Sequence, residues 1–191
     1  DGILSVSPYY NKPSQQGLLQ HYTALADNSP IPVIMYNIPG RTGSNMTADT
    51  TLQLSKHPQI AGIKEASGDL SQCIDIAKNK SEDFLIIGGD DILTLPMISI
   101  GGVGAISAIS NVFPEITSKM TNHALASDYK KANEELHKFC SFNKLFFEEG
   151  NPVGVKTMLD IMGICKPFVR LPLAPGSASL RDKLKNALYD K

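Results

Sequence analysis

The stretch Ile60-Ala61-Gly62-Ile63-Lys64-Glu65-Ala66-Ser67-Gly68-Asp69 decides how the chain is read. A short apolar run ends in a lysine, passes through a glycine-containing turn and reaches an aspartate placed to cap a helix over 70–80. That is one strand, one loop and one helix. The same unit recurs on either side. Runs at 2–6, 32–36, 60–64, 84–88 and 103–107 are short, rich in Ile and Val, and do not alternate with polar residues. They predict buried parallel strands with both faces covered. Helical periodicity follows at 14–27, 47–56, 70–80, 91–100 and 111–126, with Ser14, Thr47 and Asp69 as N-caps. The spacing repeats, but the residues themselves do not.

Beyond the fifth unit the reading is helical only. Tyr129, Ala132, Leu136, Phe139, Cys140 and Asn143 mark one face of a long helix, and Val155, Met158, Leu159 and Met162 mark a second. Ser177 opens a last helix carrying Leu180, Leu184 and Leu188, after a connector delimited by Pro167, Pro172 and Pro175. The expected division is 1–126, five βα units, and 127–191, a helical extension. Parallel βα units fit an open doubly wound sheet or an arc of a (β/α)8 barrel. The chain begins at Asp1, without Met and inside a strand. This favours a barrel fragment from a longer polypeptide. In either architecture the active site sits at the C-terminal ends of the strands.

Composition narrows the function. The 191 residues carry 18 Lys+Arg against 19 Asp+Glu, a net charge of −1. That balance argues against a nucleic-acid or membrane-surface binder. Hydrophobic residues reach 42%, enough for a packed core, and no apolar run approaches a membrane span. Three widely spaced cysteines, Cys73, Cys140 and Cys165, fit a reducing compartment, so a cytoplasmic location is expected.

Lys64 is the unusual residue, because it ends an apolar strand. Desolvation at a barrel mouth disfavours its ammonium form, and a neutral amine can attack a ketone to form a Schiff base. A lysine paired with Glu65 or Asp69 is the plainer reading, and on Lys64 alone it is the stronger. Tyr36 alters the balance. It ends the preceding strand, about 4.8 Å away if the two strands pair in order. A phenol at equal depth can reach the lysine nitrogen and shuttle protons at an imine, whereas a tyrosine alone commonly anchors a core edge. Arg41, on the loop after Tyr36, offers a guanidinium fork for a substrate carboxylate or else a surface ion pair. Tyr9 and Tyr10 form an aromatic corner that either donates hydroxyls or packs at an interface. Gly40, Gly43, Gly68, Gly88 and Gly89 serve turns or close backbone approach.

Other chemistries find no footing. His21, His57, His123 and His137 lack zinc-binding spacing, and the cysteines are unpaired in sequence. Gly101-Gly102-Val103-Gly104 lacks the dinucleotide-binding spacing, and Asp90-Asp91 reads as a helix cap before it reads as a metal site.

Three segments together carry a resemblance: Pro8-Tyr9-Tyr10-Asn11-Lys12-Pro13, Tyr36-Asn37-Ile38-Pro39-Gly40-Arg41-Thr42-Gly43, and Gly62-Ile63-Lys64-Glu65-Ala66-Ser67-Gly68-Asp69. With Gly88-Gly89-Asp90-Asp91, Asn151-Pro152-Val153 and Arg170-Leu171-Pro172, they resemble the Schiff-base aldolase family that includes dihydrodipicolinate synthase and N-acetylneuraminate lyase. The likeness covers essentially the whole chain. It implies a TIM barrel, a (β/α)8 fold with three C-terminal helices, of which this chain holds strands four to eight and those helices. It implies a lyase that condenses pyruvate with aspartate semialdehyde toward diaminopimelate and lysine. No cofactor or metal is implied, only a covalent pyruvate imine.

Carried over residue by residue, Lys64 matches the Schiff-base lysine and Tyr36 the tyrosine that relays protons to the imine. Tyr10 matches a relay tyrosine inserted from a neighbouring subunit. Arg41 matches the arginine that holds the aldehyde's carboxylate, and Gly89 and the Ile106 carbonyl match positions lining the pocket. Tyr9 matches an interface residue near a lysine-inhibition site. A homotetramer of tight dimers is expected from the likeness alone, with no nucleic-acid or membrane partner. The first three βα units, which carry a pyruvate-binding Thr-Thr pair in the family, are to be supplied by an N-terminal segment of the same barrel. Two alternatives stand beside this: another pyruvate-dependent aldolase such as N-acetylneuraminate lyase, and an inactive barrel fragment serving as an assembly module.

Overall fold

A computed structural model describes residues 1–189; residues 190 and 191, which end the expected helical extension, lie outside the described residues. The chain divides into two compact units, Asp1–Ile106 and Ser107–Lys191.

The first unit is built on five parallel strands: β1 (Ile3–Val6), β2 (Val33–Asn37), β3 (Ile60–Glu65), β4 (Leu85–Gly88) and β5 (Gly104–Ala105). They lie in strictly sequential order. A doubly wound sheet requires a reversal of strand order, and there is none here. The connections run through α1 (Gln15–Asp27), α2 (Pro39–Thr42), α3 (Ala48–Leu54), α4 (Leu70–Asn79) and, after a 3-10 turn at Asp91–Leu93, α5 (Thr94–Ser99).

Local chemistry starts these helices where the sequence indicates. The Ser14 hydroxyl accepts from the Gly17 N–H, that of Thr47 from Thr50 N–H, and the Asp69 carboxylate from Gln72 N–H. Each satisfies an amide that the first helical turn leaves unpaired. Leu18, Tyr22 and Ala26 recur every four residues on α1 and are buried. They join Met35, Ile63 and Ile86 from the strands and Cys73 and Ile76 from α4 in one core.

That core covers one face of the sheet only. Along β2, Val33, Met35 and Asn37 are buried while Ile34 and Tyr36 are half-exposed. Along β4 the alternation is the same. Within these residues, one face of the sheet is covered and the other is open. A strand sends successive side chains to opposite faces, and here the helices occupy only one of them. On β1, which ends the sheet, Ile3, Leu4 and Val6 stay 36–42% exposed.

The second unit holds α6 (Pro114–Leu125), α7 (Tyr129–Glu148), α8 (Val153–Ile161) and α9 (Ala178–Tyr189). Its core includes Met120, Ala132, Phe139, Phe142, Phe146, Met158, Leu180 and Leu184. Phe113, Phe142 and Phe146 form an aromatic cluster with centroids 5.0–6.1 Å apart. The division between units falls at 106/107, whereas the sequence reading placed it at 126/127. The reason is α6: it follows a strand, as a βα helix should, yet buries Met120 and Ala124 in the helical unit. Cys140, expected on the packed face of α7, is exposed. Ser177 does open α9, its hydroxyl accepting from Leu180 N–H. Among the described residues no helix is long and apolar enough to cross a membrane.

Candidate active site

The register of the parallel ladder sets the geometry. Tyr36 on β2 lies directly across from Lys64 on β3, which lies across from Ile87 on β4. Residues at one register position of adjacent strands project to the same face. Tyr36 and Lys64 thus meet on the open face, at the C-terminal end of the sheet. The Lys64 Nζ stands over the Tyr36 ring, 4.2 Å from its centroid. The contact is with the ring face, where a hydroxyl contact was expected; it is a cation–π arrangement when the amine is protonated.

Burial holds the Lys64 amine below its usual value; the Asp91 carboxylate opposes this and the Arg41 guanidinium adds to it. Burial likewise pushes the Tyr36 phenol up, with Arg41 drawing it back. The site therefore keeps the phenol protonated and makes the neutral amine more accessible than it is in water.

Of the carboxylates near Lys64, Asp91 acts on its charge, while Glu65 and Asp69 are engaged elsewhere. Glu65 points to the opposite, helix-covered face and is 1% exposed. It accepts from Ser67 N–H at 2.6 Å, Asn37 Nδ2 at 3.0 Å and Gln72 Nε2 at 3.3 Å. Asp69 is committed to capping α4.

Arg41 lies in α2, a single turn closed by Gly43 at φ 74°. That left-handed conformation suits glycine, and it returns the chain toward the sheet. Among the described residues no carboxylate pairs with Arg41, and its charge acts on both Lys64 and Tyr36. Gly89 follows β4 and donates its N–H to the Glu65 carbonyl. A Cβ there would meet the Ala66 Cβ at 2.7 Å and the Lys64 Cε at 3.1 Å, so only glycine leaves the lysine its place. Ile106 continues β5, its N–H bonded to the Gly88 carbonyl at 2.9 Å.

Lys64, Tyr36, Arg41, Gly89 and Ile106 all sit at the C-terminal ends of β2 to β5 or on the loops beyond. Tyr9 and Tyr10 stand apart, 67% and 87% exposed, on the loop after β1. Tyr10 has φ 65° and Lys12 φ 47°, conformations that side chains other than glycine seldom adopt.

Two participants escaped the sequence reading. Asp91, read first as part of a cap and second as a metal ligand, is buried and raises the basicity of Lys64, while Asp90 does the capping by accepting from Ile92 N–H. Asn37, directly across from Glu65, is fully buried. Its position one residue past Tyr36, on the alternate face, was the available signal. Cys73 is no nucleophile: burial, then Glu65 and Asp69, push its thiol up to about 12. Among the described residues no group of three or more His, Cys, Asp or Glu side chains could hold a metal ion.

A half-buried lysine whose basicity burial lowers thus stands on the C-terminal rim of a parallel βα sheet. The chain belongs to the Dihydrodipicolinate synthetase family, which it matches over residues 1–191. It is 52% identical over 187 residues to the 4-hydroxy-tetrahydrodipicolinate synthase of Cytophaga hutchinsonii, covering 98% of this chain and 63% of that protein. It is 49% identical over 191 residues to the same-named protein of Phocaeicola vulgatus, covering all of this chain and 64% of that one. Among solved structures it is similar to the chloride-inhibited dihydrodipicolinate synthase of Acinetobacter baumannii, which was complexed with pyruvate. There the TM-score is 0.96 at 38% identity, covering all of this chain and 65% of the other. The dihydrodipicolinate synthase of Thermotoga maritima superposes with a TM-score of 0.95 at 35% identity over 99% of this chain and 65% of its own. The chain thus spans a little under two thirds of the length of these relatives.

Proposed function

We propose that these residues are strands four to eight and the C-terminal helices of a (β/α)8 barrel that condenses pyruvate with L-aspartate semialdehyde. The observation that carries the reading is the Lys64 amine, half-buried over the Tyr36 ring and held below its usual basicity.

The neutral Nζ of Lys64 attacks the pyruvate ketone carbon, and the carbinolamine loses water to give an iminium. The Tyr36 phenol hands over and takes back the protons of that exchange. The iminium is an electron sink, so the methyl group releases a proton and an enamine forms. The enamine carbon bonds to the aldehyde carbon of the second substrate, whose carboxylate is held by Arg41. The substrate amine then adds to the iminium carbon and displaces Lys64, closing the ring and restoring the free amine. Gly89 and the Ile106 carbonyl line the pocket. No cofactor enters the cycle beyond the covalent imine.

The open apolar face of the sheet and the free edge of β1 support the partial-barrel reading, since an apolar sheet face needs a cover. An N-terminal segment of three further βα units would provide it. The exposure and unusual backbone of Tyr10 support its insertion into a neighbouring subunit of a homotetramer, with Tyr9 at that interface. A cytoplasmic location agrees with the three free thiols.

The test is trapping. Borohydride with pyruvate, applied to the assembly that contains this chain, is expected to leave a stable adduct on Lys64 that Lys64→Ala abolishes. An assembly that binds pyruvate without forming that adduct refutes the mechanism.

A further inference from the structure

Asn37 and Glu65 form a buried polar bridge with no part in the chemistry above. Their side chains leave the ends of β2 and β3 on the covered face, one residue beyond Tyr36 and Lys64. Asn37 closes a loop: its Oδ1 accepts from Met46 N–H at 3.0 Å, and its Nδ2 donates to Asn45 Oδ1 at 2.8 Å and to Glu65 Oε2 at 3.0 Å. Residues 38–45 are thereby pinched at their base, and Arg41 rides on the closed segment. The Met46 N–H fixes which end of the Asn37 amide is oxygen, so the NH₂ must face Glu65.

The Glu65 carboxylate is met by donors, among them Ser67 N–H, Asn37 Nδ2 and Gln72 Nε2. Asn45 reaches the same helix, donating its Nδ2 to Gln72 Oε1 at 2.8 Å. One carboxylate thus ties the loop that bears Arg41 to the loop after the strand that bears Lys64. Buried polar groups of this kind act as a unit, because a member left unpaired costs its full desolvation.

We infer that Glu65, acting through Asn37, is a positioning residue that sets the placement of Arg41 relative to Lys64, and so governs capture of the second, carboxylate-bearing substrate while leaving imine formation alone. The inference rests on the function proposed above.

The experiment compares wild type, Glu65→Gln, Asn45→Ala and the exchanged pair Asn37→Asp/Glu65→Gln in the pyruvate-competent assembly. Glu65→Gln keeps the shape but turns an NH₂ toward donors. It is expected to raise the KM for the aldehyde substrate about tenfold, the scale of a small misplacement of a binding group, with borohydride trapping of pyruvate on Lys64 unchanged. Asn45→Ala, at an exposed end of the network, is expected to move the aldehyde KM the same way without disturbing the core. The exchanged pair restores a donor facing an acceptor and is expected to return the KM toward wild type. An unchanged aldehyde KM in both single variants, equal loss of trapping and aldehyde binding, or failure of the exchange to rescue would each overturn the inference. Absence of trapping in the wild type would instead overturn the proposed function.

Discussion

In the proposed mechanism Lys64 works only if its amine is neutral often enough to attack. Burial lowers its basicity, Asp91 raises it and Arg41 lowers it. The reactive form accumulates as pH rises through the folded value, so trapping rate should climb with pH and level off below the pH expected of a free lysine. Removing the Arg41 cation in Arg41→Leu takes away a lowering influence and is expected to move that rise to higher pH. Asp91→Asn removes a raising influence and is expected to move it lower. Rates of borohydride trapping across pH check both directions, and shifts of the same sign in the two variants would contradict the assignment. Gly89 acts by absence: its missing Cβ leaves room for Ala66 and the Lys64 stem. Gly89→Ala is expected to lower both trapping rate and thermal stability, measured side by side, because the added Cβ meets the rigid Ala66 Cβ at 2.7 Å as well as the Lys64 Cε at 3.1 Å.

The helices of the sheet unit are started by single side chains, and their contributions are separable. Asp69 accepts from Gln72 N–H at 3.1 Å and begins the helix that also delivers Gln72 to Glu65. Asp69→Ala is expected to cost about 1 kcal/mol of stability, the usual cost of losing such a cap, as read by denaturant unfolding. Asp69→Asn retains the acceptor and is expected to recover most of it. At this scale the sequence was a good guide to where elements begin, since a cap needs only a residue and the next turn. It was a poor guide to α2, four residues opened by Pro39 with no hydrophobic period to announce them. Yet α2 carries Arg41, so the short element hidden from periodicity is one on which the proposed site depends.

Across the whole of the first unit, the helices cover one sheet face and leave Leu4, Val6, Ile34, Tyr36 and Ile87 on the other. Among the described residues, no strand pairs with the outer side of β1. Such a surface invites association. The 191 residues prepared alone are expected to bind a dye that reports exposed apolar surface and to self-associate, with both signals suppressed when a polypeptide supplying the three further βα units is present. A monodisperse, dye-silent preparation of these residues alone would argue against the partial barrel.

What the sequence determined by itself was local: apolar runs of strand length, caps that need only the next turn, and a lysine set at the end of such a run. Which face of the sheet is covered, how Tyr36 meets Lys64, where Glu65 turns and why α6 belongs with the later helices were decided only by the tertiary structure. Strand alternation says that Lys64 and Glu65 point to opposite sides, but it cannot say which side the helices fill. That depends on contacts between segments far apart in the chain, as Asn37 and Glu65 are at 28 residues, whose pairing leaves no mark in either segment alone.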